Sequence, residues 1–408
     1  VSALLGVAEA QARLLAGVAP LAAETVPLLA AAGRRAAADL TARLTQPPFA
    51  ASAMDGYAIR WVDRAGPWTV VGEAGAGHGF AGSAGAGDAV RIFTGAIVPD
   101  GADTVIVQED VARDGDVARL ADDGPPRAGA HIRGQGLDFA AGDRLVQAGE
   151  RLTPARIALL AAGGHAAVPV PRRPRVVVLA TGDELVPPGE TPGPGAIVSS
   201  AGVMLGALLG PLAEVRDGGI VPDRRDAVAA ALAGAQEADL IVTVGGASVG
   251  DHDLIGPVLR DLGAAIDFWK IAMRPGKPLL SARLAGTQVV GLPGNPISAF
   301  VCATLFVLPL LRAMGGDPAP LPPVFKARLG EPLPANGARQ DYLRAAARHA
   351  PGGPIVVAAG VQDSSMLSVL AGSNVLIVRP AGAAAAGMDE LVDCIALDFV
   401  PGVAHTFP

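Results

Sequence analysis

The sequence predicts a multidomain α/β plus β protein: a three-layer α/β domain on a mostly parallel sheet, flanked by small β-rich N-terminal and C-terminal domains. Three observations predict it. Two apolar runs, Arg175-Val-Val-Val-Leu-Ala180 and Leu240-Ile-Val-Thr-Val244, have the texture of strands buried on both faces. Between 173 and 318 such runs alternate with helical stretches, as in parallel strands joined by crossover helices. On either side, short β-like runs sit between turns, for which 53 Gly and 35 Pro among 408 residues provide amply. At ~100–200 residues per domain this length makes two to four domains.

Taken in order, residues 1–45 are Ala/Leu-rich and predict helix, with Ser2 as a possible N-cap, until Pro47-Pro48 stops it. Strands are expected at 68–71, 89–93, 104–108 and 117–120, which make a small all-β unit. Thr153-Pro154 starts a helix, and 169–174 is a Pro-rich joint. After the strand at 175 come a helix at 200–213, a strand ending at Val221, a helix at 224–237 and the strand at 240. A helix at 254–262, strands at 266–271 and 289–292 and a helix from Ile297 follow. Turn-rich 315–323 closes this region, and strands at 324–329, 355–358, 375–378 and 394–397 end the chain. The expected division is 1–48 with 138–172 as a helical and linker domain, 49–137 as the β domain, 173–318 as the α/β domain and 319–408 as the C-terminal domain.

Composition excludes several classes. Thirty-two Lys+Arg against 39 Asp+Glu leave a net charge of −7, which argues against a nucleic-acid coat or a polybasic membrane binder. Two cysteines, Cys302 and Cys394, make neither a disulfide framework nor a Cys-rich zinc site. The apolar stretch 297–311 is shorter than the ~20 residues of a membrane span and reads as a buried helix. Glu9, Arg13 and Glu24 interrupt any signal-like run, so the expected location is cytoplasmic.

Ligands of open parallel sheets bind beyond the carboxyl ends of the strands, and four loops there stand out: 181–185, 245–253, 273–278 and 292–298. Gly245-Gly246 with Ser248 and Gly250 could offer N–H groups to a phosphate, although an ordinary tight turn explains any one such loop equally well. Ala247 breaks the dinucleotide pattern, and Pro278 rules out a Walker A loop after Gly276-Lys277. Of only three lysines, Lys270 and Lys277 bracket Arg274, and Pro275 and Pro278 stiffen the loop between them. Asp183, Glu184, Asp223, Asp251 and Asp253 gather at the same edge, suited either to Mg²⁺ with substrate phosphates or, for Asp223 and Asp253, to helix capping. Gly246-Ala-Ser-Val-Gly250 also fits a nucleophile elbow, but a triad histidine would have to be His349 or His405, in a separate domain.

Read together, these loops resemble the molybdopterin molybdenumtransferase (molybdenum insertase) family, which includes the gephyrin C-terminal domain. The strings that carry the resemblance run in order along nearly the whole chain: Ser52-Ala-Met-Asp-Gly-Tyr-Ala58, Thr94-Gly-Ala96 with Pro99-Asp-Gly-Ala-Asp103, Arg133-Gly-Gln-Gly-Leu-Asp138, Thr181-Gly-Asp-Glu-Leu185, Val244-Gly-Gly-Ala-Ser-Val-Gly250, Arg274-Pro-Gly-Lys-Pro278 and Leu292-Pro-Gly-Asn-Pro-Ile-Ser298. The resemblance implies a molybdopterin-binding-like α/β domain, a homodimer with its cleft at the interface, and insertion of molybdenum from molybdate into adenylylated molybdopterin with release of AMP. It implies Mg²⁺ or general acid–base work at Glu184 and Asp253, and a phosphate cradle of Gly245, Gly246, Ser248 and Gly250 with Asp223 and Lys270 nearby and Asp183 among the binding residues. It further implies oxyanion contacts from Arg274, Lys277 and Ser298, a floor shaped by Pro293 and Pro296 with Asn295 among the binding residues, and Asp55, Thr94 and Asp138 reaching across from the partner. Arg344, Ser364 and Ser368 resemble an anion-contacting set, and transient contacts with the adenylyltransferase and acceptor apo-molybdoenzymes are implied. Val244 where Ser is frequent, Arg274 where Lys is usual and Leu137 where Glu is usual depart from the pattern. Rival readings are a molybdopterin adenylyltransferase and a non-catalytic pterin-binding scaffold.

Overall fold

A computed structural model describes residues 4–246 and 253–397; Ser248, Gly250 and Asp251 lie outside them. At the centre is a six-stranded sheet in the order Glu214–Val221, Arg175–Thr181, Leu240–Val244, Thr287–Leu292, Leu280–Leu284, Ala265–Phe268. The first four strands are parallel and the last two join antiparallel, so the sheet is mixed. Helices Ser200–Leu209, Val7–Leu15 and the long helix from Pro296 cover one face, burying Leu205, Leu209, Val242 and Ile297. Helices Arg225–Ala233 and Ile255–Asp261 cover the other, burying Leu232, Val258 and Ile241. This is the expected three-layer α/β domain, because alternate residues of the apolar strands feed opposite cores.

The long helix runs from Pro296 to Met314, and 83% of its most apolar window is buried. At 19 residues it exceeds the stretch expected at 297–311 and is long and apolar enough to cross a membrane, yet, as expected, it is buried in the core. Its middle, Ala303–Val307, is a π-helical stretch that precedes Pro309. Pro309 cannot donate to the ladder and its ring would press on the carbonyl one turn back, and the wide turn relieves both conflicts.

Before this domain, a six-stranded sheet is ordered Thr104–Val107, Gly56–Ile59, Asp88–Ile92, Trp68–Ala74, Val117–Leu120, Val111–Asp114. The chain enters and leaves it through paired segments: Gln46 bridges Phe139, and Ala51–Ser52 pairs with Ile132–Arg133. After the α/β domain, Gln340–Arg348, Ile355–Ala358, Val324–Leu329, Leu391–Ala396 and Val375–Arg379 pair in turn and close on themselves as a barrel. A short strand of the α/β domain, Met273–Arg274, adds to the barrel by pairing with Gln340 and Asp341.

Two expectations are corrected, and one strand is added. Residues 1–45 are not one helical region: the helix Val7–Leu15 ends at Gly17, φ +71, and Ala23–Pro27 is a strand paired with Ala167–Pro171. Pro20, Thr25 and Pro27 outweigh the alanines there, and the Pro-rich joint is half of that ribbon. The strand expected at 266–271 ends at Phe268, and the segment after it turns toward the barrel. Leu280–Leu284, unread in the sequence, forms a hairpin with Thr287–Leu292 through Ala285 and Gly286 at φ 48° and 94°.

Candidate active site

A cleft of about 350 Å³ opens beyond the carboxyl ends of Arg175–Thr181, Leu240–Val244 and Thr287–Leu292. Seven residues singled out in the sequence line it together: Glu184, Asp223, Gly245, Gly246, Asp253, Pro293 and Pro296. Gly245 and Gly246 take φ +93° and +58° at the strand end. A Cβ on Gly245 would lie 2.6 Å from the Thr181 carbonyl oxygen and 2.8 Å from its Oγ1. Only glycine fits both the dihedral and the approach.

Asp253 stands immediately before the helix Ile255–Asp261 and is buried. Neither of its carboxylate oxygens has a hydrogen-bond partner among the described residues. Burial pushes its pKa up to about 7, and the Ile255 amide, outside hydrogen-bond geometry, offsets only part of the rise. Capping therefore does not account for this side chain. A buried carboxylate that faces a cleft with no partner among the described residues suits a cation or a proton-transfer role. Thr181 Oγ1 is likewise buried without a partner.

The other expected residues of this domain, Asp183, Lys270, Arg274, Lys277, Asn295 and Ser298, do not line the cleft. Asn295 Oδ1 accepts from the Ile297 and Ser298 amides at 3.1 and 3.3 Å, which caps the long helix and places buried Ser298 in its first turn. Asp183 is exposed and accepts from the Asp223 amide at 3.0 Å, holding the two acidic loops together. Lys270 and Lys277 are exposed, and their carbonyls take the amides of Leu5 and Ile271. Arg274 is not a free cation: it forks onto Asp341 in the barrel.

Asp55 and Thr94 sit on the N-terminal β unit and Asp138 at the base of its neck, and none of the three lines the cleft of its own chain. Asp55 is held by Thr94, whose amide and hydroxyl keep its carboxyl below the usual range, with Arg91 adding a smaller pull. Asp138 is exposed, and its amide donates to the Gln46 carbonyl at 3.0 Å. In the barrel, Arg344 is 1% exposed, with Nη2 donating to the Asp363 carbonyl and Nε unpartnered among the described residues. Burial lowers its pKa, which Asp363 opposes. Ser364 and Ser368 follow Asp363, in and after the turn that leads into the helix Leu367–Ala371.

Among the described residues no three His, Cys, Asp or Glu side chains come together as a metal cage. Glu184 and Asp253 are two carboxylates in one cleft, the number that suits Mg²⁺ shared with substrate phosphates and water. Thr181 heads its loop motif in the sequence without a role of its own, and nothing local in the sequence marks Asp341.

Comparisons with known proteins agree along most of the chain. Residues 5–164 match the family model described as MoeA N-terminal region (domain I and II), 177–313 the probable molybdopterin binding domain, and 326–397 the MoeA C-terminal region (domain IV). A molybdopterin molybdenumtransferase of Nostoc sp. is 37% identical over 385 residues, spanning 90% of this chain and 88% of its own. That of Haemophilus influenzae is 38% identical over 365 residues, spanning 88% and 90%. The crystal structure of a molybdopterin biosynthesis moeA protein from Pyrococcus horikoshii OT3 superposes with a TM-score of 0.81 at 29% identity, covering 97% of this chain and all of the other.

Proposed function

This chain belongs to the molybdopterin molybdenumtransferase family, and on that premise we propose that it inserts molybdenum from molybdate into adenylylated molybdopterin and releases AMP. Two Mo–S bonds form at the dithiolene sulfurs as one molybdate oxo group leaves with the two thiol protons as water, and a water molecule cleaves the adenylyl phosphoanhydride to give AMP and the pterin phosphate. The observation that carries this reading is the cleft itself, where a glycine turn at a strand end faces an orphaned buried carboxylate, Asp253.

Each residue has work suited to its chemistry. The Gly245–Gly246 turn cradles a phosphate, with Asp223 and Lys270 alongside. Lys277, Arg274 and Ser298 take the tetrahedral molybdate dianion, and the Arg344, Ser364 and Ser368 set takes an anion at the barrel. Pro293 and Pro296 shape the floor. Glu184 and Asp253 hold a divalent cation, which when bound neutralises phosphate charge, or move a proton at the reacting oxygen. Asp55, Thr94 and Asp138 come from a partner subunit. Exposed Met54, Ile97 and Leu137 near them, and exposed Ile197 and Val203 near the cleft, are the apolar surfaces such a homodimer would cover. The four-part division at 48, 137, 172 and 318 and a cytoplasmic location complete the proposal.

The test is AMP release from adenylylated molybdopterin and Mg²⁺, with and without molybdate. Release that depends on molybdate, with active cofactor recovered in an apo-molybdoenzyme, supports the reading. ATP consumption without molybdate would point to adenylyl transfer, and tight binding without turnover to a scaffold.

A further inference from the structure

We infer that Asp341, in the C-terminal barrel, is a positioning residue for the oxyanion: it fixes the Arg274 guanidinium and cancels its charge. The inference rests on the reading of the 270–277 segment as oxyanion-binding.

The two residues are held together by both backbone and side chain. Met273 and Arg274 pair in parallel register with Gln340 and Asp341, and the Gln340 amide donates to the Ala272 carbonyl at 2.9 Å. Arg274 Nε donates to Asp341 Oδ1 at 3.0 Å and Nη2 donates to Oδ2, a planar two-bond fork. The Asp341 side chain is 4% exposed and that of Arg274 59%. Burying this carboxylate without its cation would be costly, so the fork is not an optional surface contact. It occupies Nε and one Nη2 hydrogen and leaves Nη1 facing outward in a fixed plane.

The charge consequence follows. Lys270, Arg274 and Lys277 bring three positive charges to one short segment, but Asp341 removes one. Lys270 and Lys277 make no ion pair among the described residues. A dianion therefore meets two free ammonium groups and one rigid, neutralised donor. Two charges match the dianion, and a third would hold it harder without helping it react.

Asp341→Asn keeps the shape and one acceptor while removing the charge. The expected result is a KM for molybdate about three- to tenfold lower, with a steeper dependence on ionic strength. A joint that only ties the barrel to the α/β domain would shift the melting temperature and leave this KM unchanged or raised, and that outcome in a folded variant overturns the inference. Arg274→Lys keeps the charge count but cannot form the fork, and decides the matter if Asp341→Asn does not fold. It should lower kcat severalfold with wild-type salt dependence, and wild-type kcat and KM would overturn the inference. Wild-type protein that shows no molybdate-dependent turnover would instead sink the functional reading itself.

Discussion

The amide and the hydroxyl of Thr94 both donate to a single oxygen of Asp55, each at 2.8 Å. A carboxylate held this way keeps its charge and points its other oxygen outward. Because the Asp55 pKa is depressed, its contribution is present throughout neutral pH and is lost only as pH falls through that lowered value. Asp55→Asn should therefore reduce molybdate-dependent AMP release by roughly tenfold or more, and Thr94→Val by less, since the amide bond survives. A kcat/KM profile should show no limb from Asp55 above pH ~5. Unchanged turnover in Asp55→Asn would remove this residue from the site.

Asp55 and the cleft lie apart in one chain, so two inactive variants should repair each other. Co-expressed Asp55→Ala and Glu184→Ala chains would form mixed dimers with one intact site, giving about a quarter of wild-type activity. A site confined to one chain predicts no recovery at all.

Asp253 sets a pH dependence of the opposite sign. Its pKa is raised to about 7 in the folded protein, so the stability of the neutral form is fully present below the unfolded value near 4. That stability is lost as pH rises through about 7. Asp253→Asn should flatten urea-denaturation stability over this window, with a gain on the order of 2 kcal/mol over wild type at pH 8. Mg²⁺ should raise the wild-type melting temperature more at pH 8 than at pH 5.5, because only the ionised carboxylate holds it. Equal shifts at the two pH values would count against a cation at Asp253.

Gly245→Ala puts a methyl group into the Thr181 carbonyl and hydroxyl at a φ of +93°. The expected cost is roughly 2–4 kcal/mol, together with weaker AMP binding by calorimetry. Retained wild-type stability would mean that the turn can flip to a conformation open to other residues.

How much of this was legible depended on whether the signal was local. The apolar runs at 175 and 240 announced the parallel strands because burial on both faces leaves no polar alternation. Glu184, Gly245 and Pro293 were readable because strand ends in such sheets converge on one edge. The strand Ala23–Pro27 was not, since its alanine-rich surroundings favour helix and its partner lies over 140 residues away. Gln340–Arg348, with three consecutive alanines, has helical composition too, and only closure of the barrel makes it a strand. Asp341 acquired its meaning from pairing across domains, which no local pattern encodes.

The N-terminal β unit hangs from two antiparallel segments that pair with each other, Gln46 with Phe139 and Ala51–Ser52 with Ile132–Arg133. A single tether lets its load rotate about every backbone bond, whereas a two-ply neck resists torsion and yields mainly by bending. A unit held this way would swing as a lever arm in one soft direction. Asp138 lies at the base of the neck and Asp55 just beyond its tip, so bending would swing Asp55 while Asp138 stays behind, and the spacing between them would change.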